Sequence, residues 1–251
     1  MRLGESLVGD LSTALVQWKN EEDGADLALS LMAALNNIFV GVSTIGERSA
    51  GLIGLKLVDL MRDSRGGTDL YCRAIDLAAR MVQEGILADS KIIGKMYKAV
   101  FSSPDPQGYT DMPTIAATAL SKLVAALART APLLAPDCKE ILNVLAGLVS
   151  HRDSSSAAVL PSSSIIGNVA ICLSALVDHR DLEEDFFGAV IQLGLINSLL
   201  DAAHKYTGAA QRNCAIALAK LASKSAECRA RLKELHGFEI LYSYVKPNSQ
   251  S

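Results

Sequence analysis

The chain has 251 residues, half of them apolar but only 5% aromatic, and its formal net charge is −3. This charge gives no overall attraction to nucleic acid or to an anionic membrane surface, so we expect neither as a partner. No run of about 20 uninterrupted apolar residues occurs, which predicts that no segment spans a membrane. The shortage of aromatic residues predicts a core of Leu, Ala, Ile and Val, and Ala and Leu favour helices.

The cysteines predict a reducing compartment. They are five in number, which is odd, and no Cys-x-x-Cys pair occurs. Disulfides are rare in cytosolic proteins, where such scattered thiols stay reduced. The first residues also lack the continuous apolar region of a secretory signal. We therefore expect a cytoplasmic protein. The positions are Cys72, Cys138, Cys172, Cys214 and Cys228.

Five apolar cores recur along the chain, and each is predicted to lie within a helix. Their last residues are 43, 42, 53 and 45 positions apart. A helical unit that returns every ~40–47 residues is typical of stacked repeats, in which each unit packs only against its neighbours. In chain order the cores are Ala34–Ile38, Leu77–Met81, Ala119–Leu123, Cys172–Leu176 and Ala217–Leu221.

The one long gap contains a serine-rich segment, residues 151–164, which includes Pro161. Repeat proteins accommodate extra residues in exposed loops, so we expect a loop insertion there. After it, Asn168–Leu176 and Asn213–Leu221 match each other at an offset of 45 residues. The sequence predicts a single stack over residues 1–246 and a disordered tail over residues 247–251.

Residues that carry chemistry are sparse. The four histidines are far apart and form no short-range metal pair. An acidic run from Asp178 to Asp185 comes before a predicted helix, where carboxylates suit the helix dipole, so capping is the better interpretation. No nucleophile, zinc or dinucleotide motif occurs. We expect a non-enzymatic protein without metal, cofactor or small-molecule substrate; the alternative is an all-α enzyme with a site assembled from distant residues.

The recurring cores resemble the third helix of armadillo repeats. Ala34–Ile38 and Ala215–Ala222 are similar to that helix, whereas Leu193–Ile196 and Leu235–Leu241 resemble the glycine junction between the first and second helices. The resemblance implies an all-α, armadillo- or HEAT-like right-handed superhelical solenoid of about five repeats. It also implies a scaffold that binds other proteins.

The same resemblance implies a binding groove. In armadillo proteins, the residue before the last apolar position of the third-helix core faces the concave groove. One such residue per repeat would form a ladder that clasps an extended or acidic peptide; the alternative is a row of ordinary solvated side chains. Only the first matches the family's recurrent asparagine, which argues against importin-like recognition of a peptide backbone. The ladder positions are Asn37, Arg80, Lys122, Ala175 and Lys220, of which all but Ala175 are candidate binding residues.

A narrower resemblance lies near the end of the chain. Asn213–Leu221 and Leu232–Leu241 are similar to the armadillo region of the tetratricopeptide repeat protein 12 family. This implies a cytoplasmic, chaperone-like factor that helps assemble the dynein arms of cilia, with dynein subunits or assembly factors as partners. The chain lacks the tetratricopeptide module of that family, so chaperone docking does not carry over. The alternative is a generic armadillo adaptor, of catenin or transport type, without a ciliary role.

Overall fold

The computed structural model describes residues 2–18, 25–40, 45–63, 69–101, 114–130, 135–150, 161–178 and 184–245. These residues form helices and turns, with no β-strand among them, which confirms the all-α prediction for this part of the chain. The helices are α1 Arg2–Gln17, α2 Ala25–Ile38, α3 Glu47–Asp63, α4 Asp69–Gln83, α5 Ser90–Phe101, α6 Thr114–Thr130, α7 Ala135–Ser150, α8 Ser163–Val177, α9 Glu184–Gln192, α10 Leu195–Lys205, α11 Ala209–Lys224, α12 Ala226–Glu234 and α13 Gly237–Val245.

The chain divides into two compact units. Unit 1 comprises Met1–Asp105 and Met112–Ala131, and unit 2 comprises Pro106–Asp111 and Pro132–Ser251. Helices α1 to α6 belong to unit 1 and α7 to α13 to unit 2. The single stack over residues 1–246 stays a prediction, and the tail at 247–251 lies outside the described residues. No single described helix is long and apolar enough to cross a membrane, although the bent pair α9 and α10 passes by length and composition.

In unit 1, the first three predicted cores lie on helices that pack against one another. We call the helices that contain the five cores, α2, α4, α6, α8 and α11, the third helices. Helix α4 packs against both α2 and α6, and also against α3. Leu77 and Met81 of α4 and Leu120 of α6 are at most 1% exposed. The apolar pattern that recurs in the sequence is therefore the buried side of adjacent helices.

In unit 2, the last two third helices are in close contact. Helix α8 packs along α11, which also packs against α10 and α12. A Cβ atom added to Gly167 of α8 would lie 3.5 Å from the Cα atom of Ala210 in α11, so the two backbones approach closely at that point. Leu173 and Leu218 are at most 1% exposed. The repeat found in the sequence at an offset of 45 residues corresponds to this helix pair.

The two predicted glycine junctions differ in how they turn. Gly194 has φ +69° and separates α9 from α10, as expected of a residue without a side chain. At the second junction the positive φ, 53°, belongs to His236, the residue before the predicted glycine. Gly237 is required for another reason, because a Cβ atom there would lie only 2.4 Å from Cδ1 of Leu232. The junction at Leu235–Leu241 is thus a turn at His236 followed by a close contact.

The predicted loop insertion, residues 151–164, extends two residues too far at its C-terminal end. Helix α8 begins at Ser163, and the Ser162 side chain caps it by accepting a hydrogen bond from the backbone N–H of Ile165 at 3.4 Å. A serine hydroxyl at this position satisfies one of the free N–H groups of the first turn. The last two residues of the predicted loop, 163 and 164, are therefore helical. Residues 151–160 lie outside the described part of the chain.

Truncation of a core leucine tests the assignment of the third helices. Leu173→Ala removes a side chain that is 0% exposed, so we expect the free energy of unfolding to fall by about 2–5 kcal/mol. Ile216→Ala on α11 is the control, because Ile216 is 44% exposed and its truncation leaves no cavity; its cost should stay below about 1 kcal/mol. Urea unfolding followed by circular dichroism measures both. Equal losses would contradict the assignment.

Candidate binding face on the third helices

Three of the candidate groove residues lie on the three third helices of unit 1. Asn37 is exposed near the end of α2. The side chains of Arg80 on α4 and Lys122 on α6 are 34% and 47% exposed. All three side chains are thus accessible to a partner, while the apolar residues beside them in the sequence are turned into the core of the unit.

A chain of hydrogen bonds connects α2, α4 and α6. The Lys122 ammonium donates to one carboxylate oxygen of Asp76 at 2.8 Å, and the amide of Asn36 donates to the other at 3.1 Å. The Nε–H of Arg80 donates to Oδ1 of Asn36 at 3.3 Å. Asn36 therefore positions the guanidinium of Arg80, and Asp76 positions the ammonium of Lys122. We call the five residues Asn36, Asn37, Asp76, Arg80 and Lys122 the unit 1 face.

The unit 1 face keeps donors for a partner. An ammonium group carries three protons and a guanidinium carries five N–H groups, so the internal bonds use only part of each. The guanidinium of Arg80 also approaches Glu84, at 3.9 Å. The side chain of Asn37 makes no hydrogen bond with the described residues. Exposed ion pairs of this kind contribute only about 0–1 kcal/mol each to the free energy of unfolding. Their rearrangement on binding a partner would therefore cost little stability.

The fourth candidate, Lys220, lies on α11 in unit 2. Its ammonium is 2.5 Å from a carboxylate oxygen of Asp178 and 3.3 Å from the backbone oxygen of Ser174. Asp178 is the C-cap residue of α8 and pairs with a lysine of the next third helix, so this member of the acidic run does not cap the following helix. Helix α9 begins within the run, at Glu184. Of the acidic run, residues 179–183 lie outside the described part. Ala175, the neutral ladder position, is half-buried.

The three ladder cations share one feature: each reaches a side chain of the preceding repeat. The separations in sequence are 44 residues for Arg80 and Asn36, 46 for Lys122 and Asp76, and 42 for Lys220 and Asp178. The apolar pattern of the sequence gives no sign of the three acceptors Asn36, Asp76 and Asp178. A search for opposite charges one repeat apart would have found Asp76 and Asp178, although many pairs at that spacing do not meet.

The described thiols are poor nucleophiles. Cys72, Cys172, Cys214 and Cys228 are reduced thiols and are buried. Burial raises the pKa of the Cys214 thiol to about 12, and it also raises the pKa values of Cys72 and Cys228. A thiol must ionise to react, so these cysteines behave as small apolar residues. Within the described ranges, no three His, Cys, Asp or Glu residues lie close enough together to hold a metal ion.

The raised pKa of Cys214 predicts a loss of stability at high pH. The thiol ionises near pH 9.0 in the unfolded chain and near pH 12 in the folded chain, so its contribution is complete below pH 9.0 and declines above it. The slope approaches 1.4 kcal/mol per pH unit for one proton. The difference in unfolding free energy between the wild type and Cys214→Ala should therefore shrink from about pH 8 to about pH 11. A difference that does not change with pH would contradict the shift.

Comparison with known proteins identifies the fold. No protein-family model and no curated protein matches the chain in sequence. Among solved structures, the chain is similar to the designed armadillo repeat protein YIII(Dq)4CqI, with a TM-score of 0.65 and 17% identity over 94% of this chain and 93% of that one. A designed armadillo repeat protein in complex with the peptide (KR)4 gives a TM-score of 0.65 and 16% identity over 95% and 92%. Computationally designed armadillo proteins for modular peptide recognition give 0.62 and 16% over 92% and 90%.

These likenesses confirm the predicted fold class. The chain has an all-α armadillo-type repeat fold, and its helices fit about five repeats. The helices α9, α10 and α11 show the short first, second and long third helix of one complete repeat. At 16–17% identity the likeness concerns the fold alone.

Proposed function

We propose that the chain is a non-enzymatic scaffold that binds an extended segment of a partner protein along its third helices. The unit 1 face carries this proposal, because it presents Asn37, Arg80 and Lys122 from three helices that pack side by side. Repeat folds of this kind create elongated surfaces suited to such recognition. One structural neighbour is a complex with the peptide (KR)4, which supports peptide binding by a protein of this fold.

The chemistry of the unit 1 face matches a polypeptide backbone. An extended chain offers one carbonyl oxygen and one N–H group per residue. Neighbouring helix axes lie about 8–10 Å apart, which roughly two to three extended residues span. Donors placed on successive helices can therefore engage carbonyl groups or side chains at regular intervals. An octapeptide is long enough to contact all three third helices of unit 1.

The cations of the unit 1 face favour an acidic segment. Arg80 and Lys122 are each held by an internal partner, yet both keep free N–H donors. A carboxylate that bridges the two would gain charge-assisted hydrogen bonds, which are stronger than neutral ones. Because the side chains are already positioned, a partner loses little by ordering them.

Two octapeptides of opposite charge test this proposal. We expect (Glu-Asp)4 to bind the chain more tightly than (Lys-Arg)4 in a fluorescence anisotropy titration. The double variant Arg80→Glu and Lys122→Glu should weaken binding of the acidic peptide at least about tenfold, equivalent to about 1.4 kcal/mol, because it replaces attraction with repulsion.

A matched control separates this face from net charge. Lys91→Glu and Lys95→Glu make the same change of charge on α5, where both side chains are exposed. The affinity of this variant for the acidic peptide should stay within about twofold of the wild type. The titration is made with added salt, which screens long-range effects of the changed charge. Equal loss in both variants, or no binding of the acidic peptide, would contradict the proposal.

The specific role in assembling dynein arms stays a prediction from the narrower sequence resemblance, as does the cytoplasmic location. The generic adaptor without a ciliary role is the alternative. Recovery of dynein heavy or intermediate chains from ciliated-cell lysate, with loss on the Arg80→Glu and Lys122→Glu variant, would support the ciliary role. Recovery of the same unrelated proteins by both baits would contradict it.

A further inference from the structure

Unit 2 contains a groove that is separate from the third helices. It lies between α10 and the corner formed by α12 and α13, and its volume is about 230 Å³. None of its lining residues belongs to α8 or α11. The groove is lined by Asn197, Leu200, Asp201, His204, Leu235 and Ile240.

The corner between α12 and α13 creates this groove. Helix α12 has only nine residues, and the positive φ of His236 turns the chain sharply into α13. Gly237 then packs directly against Leu232, which holds α13 close to α12. Both helices contact α10 but leave the groove open beside it.

The floor of the groove is apolar and suits one large side chain. Leu200 is 5% exposed, and Leu235 and Ile240 are half-buried around it. Sites for small-molecule ligands usually have volumes of about 300–1,000 Å³, which is larger than this groove. A single aliphatic or aromatic side chain is the better match in size.

The rim of the groove carries an unpaired negative charge. Asp201 is exposed, and its carboxylate makes no ion pair with the described residues. Arg231 of α12, which donates to Asn197 in the lining at 3.5 Å, pairs with Glu234 at 3.1 Å. A cation from a partner would find an exposed carboxylate at the mouth of the groove.

Two exposed aromatic residues lie on α13 outside the groove, because residues two positions from Ile240 are about 200° away from it around the helix axis. Phe238 is 43% exposed and Tyr242 is 63% exposed, and they lie one turn apart on the same helix face. Aromatic side chains are enriched in protein interfaces, where they supply much of the contact area. Few large apolar residues are as exposed elsewhere in the described part of unit 2.

We propose that this groove anchors a partner protein through one large apolar side chain, with a lysine or arginine of the same segment beside Asp201. The apolar floor supplies the affinity, since a well-buried anchor residue dominates many interfaces. The carboxylate supplies the preference for a basic neighbour. This surface shares no residue with the unit 1 face, and the basic segment proposed here differs from the acidic segment proposed for that face.

Two small probes with the same apolar group and opposite charge test the groove directly. They are 3-methylbutylammonium and 4-methylpentanoate, titrated into the full chain with ¹³C-labelled methyl groups. We expect saturable shifts at Leu200, Leu235 and Ile240 with the ammonium probe, in the millimolar range. The carboxylate probe should bind several-fold more weakly. The buried methyl groups of Leu173 serve as an internal control that should not move.

Neutralising the rim separates charge recognition from apolar contact. Asp201→Asn should remove the preference between the two probes while the methyl shifts remain. Glu227→Gln, an equal change of charge at an exposed position of α12, should leave the preference intact. Absence of shifts at the groove methyl groups would overturn the proposal, and so would a preference that persists in Asp201→Asn.

A displayed library of random peptides extends the test to protein partners. Besides the acidic sequences expected for the unit 1 face, selection on the wild-type chain should enrich sequences that place Lys or Arg next to a large apolar residue. Selection on Asp201→Asn should lose the basic residue and keep the apolar one. The Arg80→Glu and Lys122→Glu variant should lose the acidic sequences and still enrich those with a basic residue next to a large apolar one, so failure of the groove is distinguishable from failure of the unit 1 face. Enrichment unaffected by Asp201→Asn would overturn the proposal.

Discussion

Close packing between successive third helices is the interaction on which each unit depends. In unit 2 the backbones of α8 and α11 approach at Gly167 and Ala210, where little space remains between them. In unit 1 the fully buried Ala78 and Leu120 belong to the adjacent helices α4 and α6. Small residues allow the helices to approach, and aliphatic residues fill the remaining space at the density of a protein interior. The lateral register of neighbouring repeats follows from this fit.

The register in turn determines what the exposed side of the third helices can do. It places Lys122 beside Asp76 and Lys220 beside Asp178, so a cation of one repeat meets an acceptor of the repeat before it. These exposed pairs contribute only about 0–1 kcal/mol each, whereas loss of one core leucine costs about 2–5 kcal/mol. The apolar packing therefore holds the structure, and the polar face is available for recognition.

The sequence alone was sufficient for the helical cores but not for their polar contacts. A regular spacing of apolar residues is visible in the sequence itself, which is why two of the cores could be identified as Cys172–Leu176 and Ala217–Leu221. The acceptors Asn36, Asp76 and Asp178 could not, because the reach of a side chain depends on the lateral register of two helices. The groove beside α10 was missed for a related reason. Gly237 resembles Gly194 in sequence, yet the turn occurs at His236.

The lateral register of α8 against α11 is tested most directly by two glycine substitutions, one at the contact between these helices and one away from it. Gly167→Leu should lower the free energy of unfolding by about 1–3 kcal/mol, because the larger side chain would have to displace α11. Gly188→Leu on α9 meets no atom within 4 Å at its Cβ position, so the helix propensity of leucine should leave stability unchanged or raise it by up to about 1 kcal/mol. Equal effects of the two substitutions in urea unfolding would contradict the packing described above.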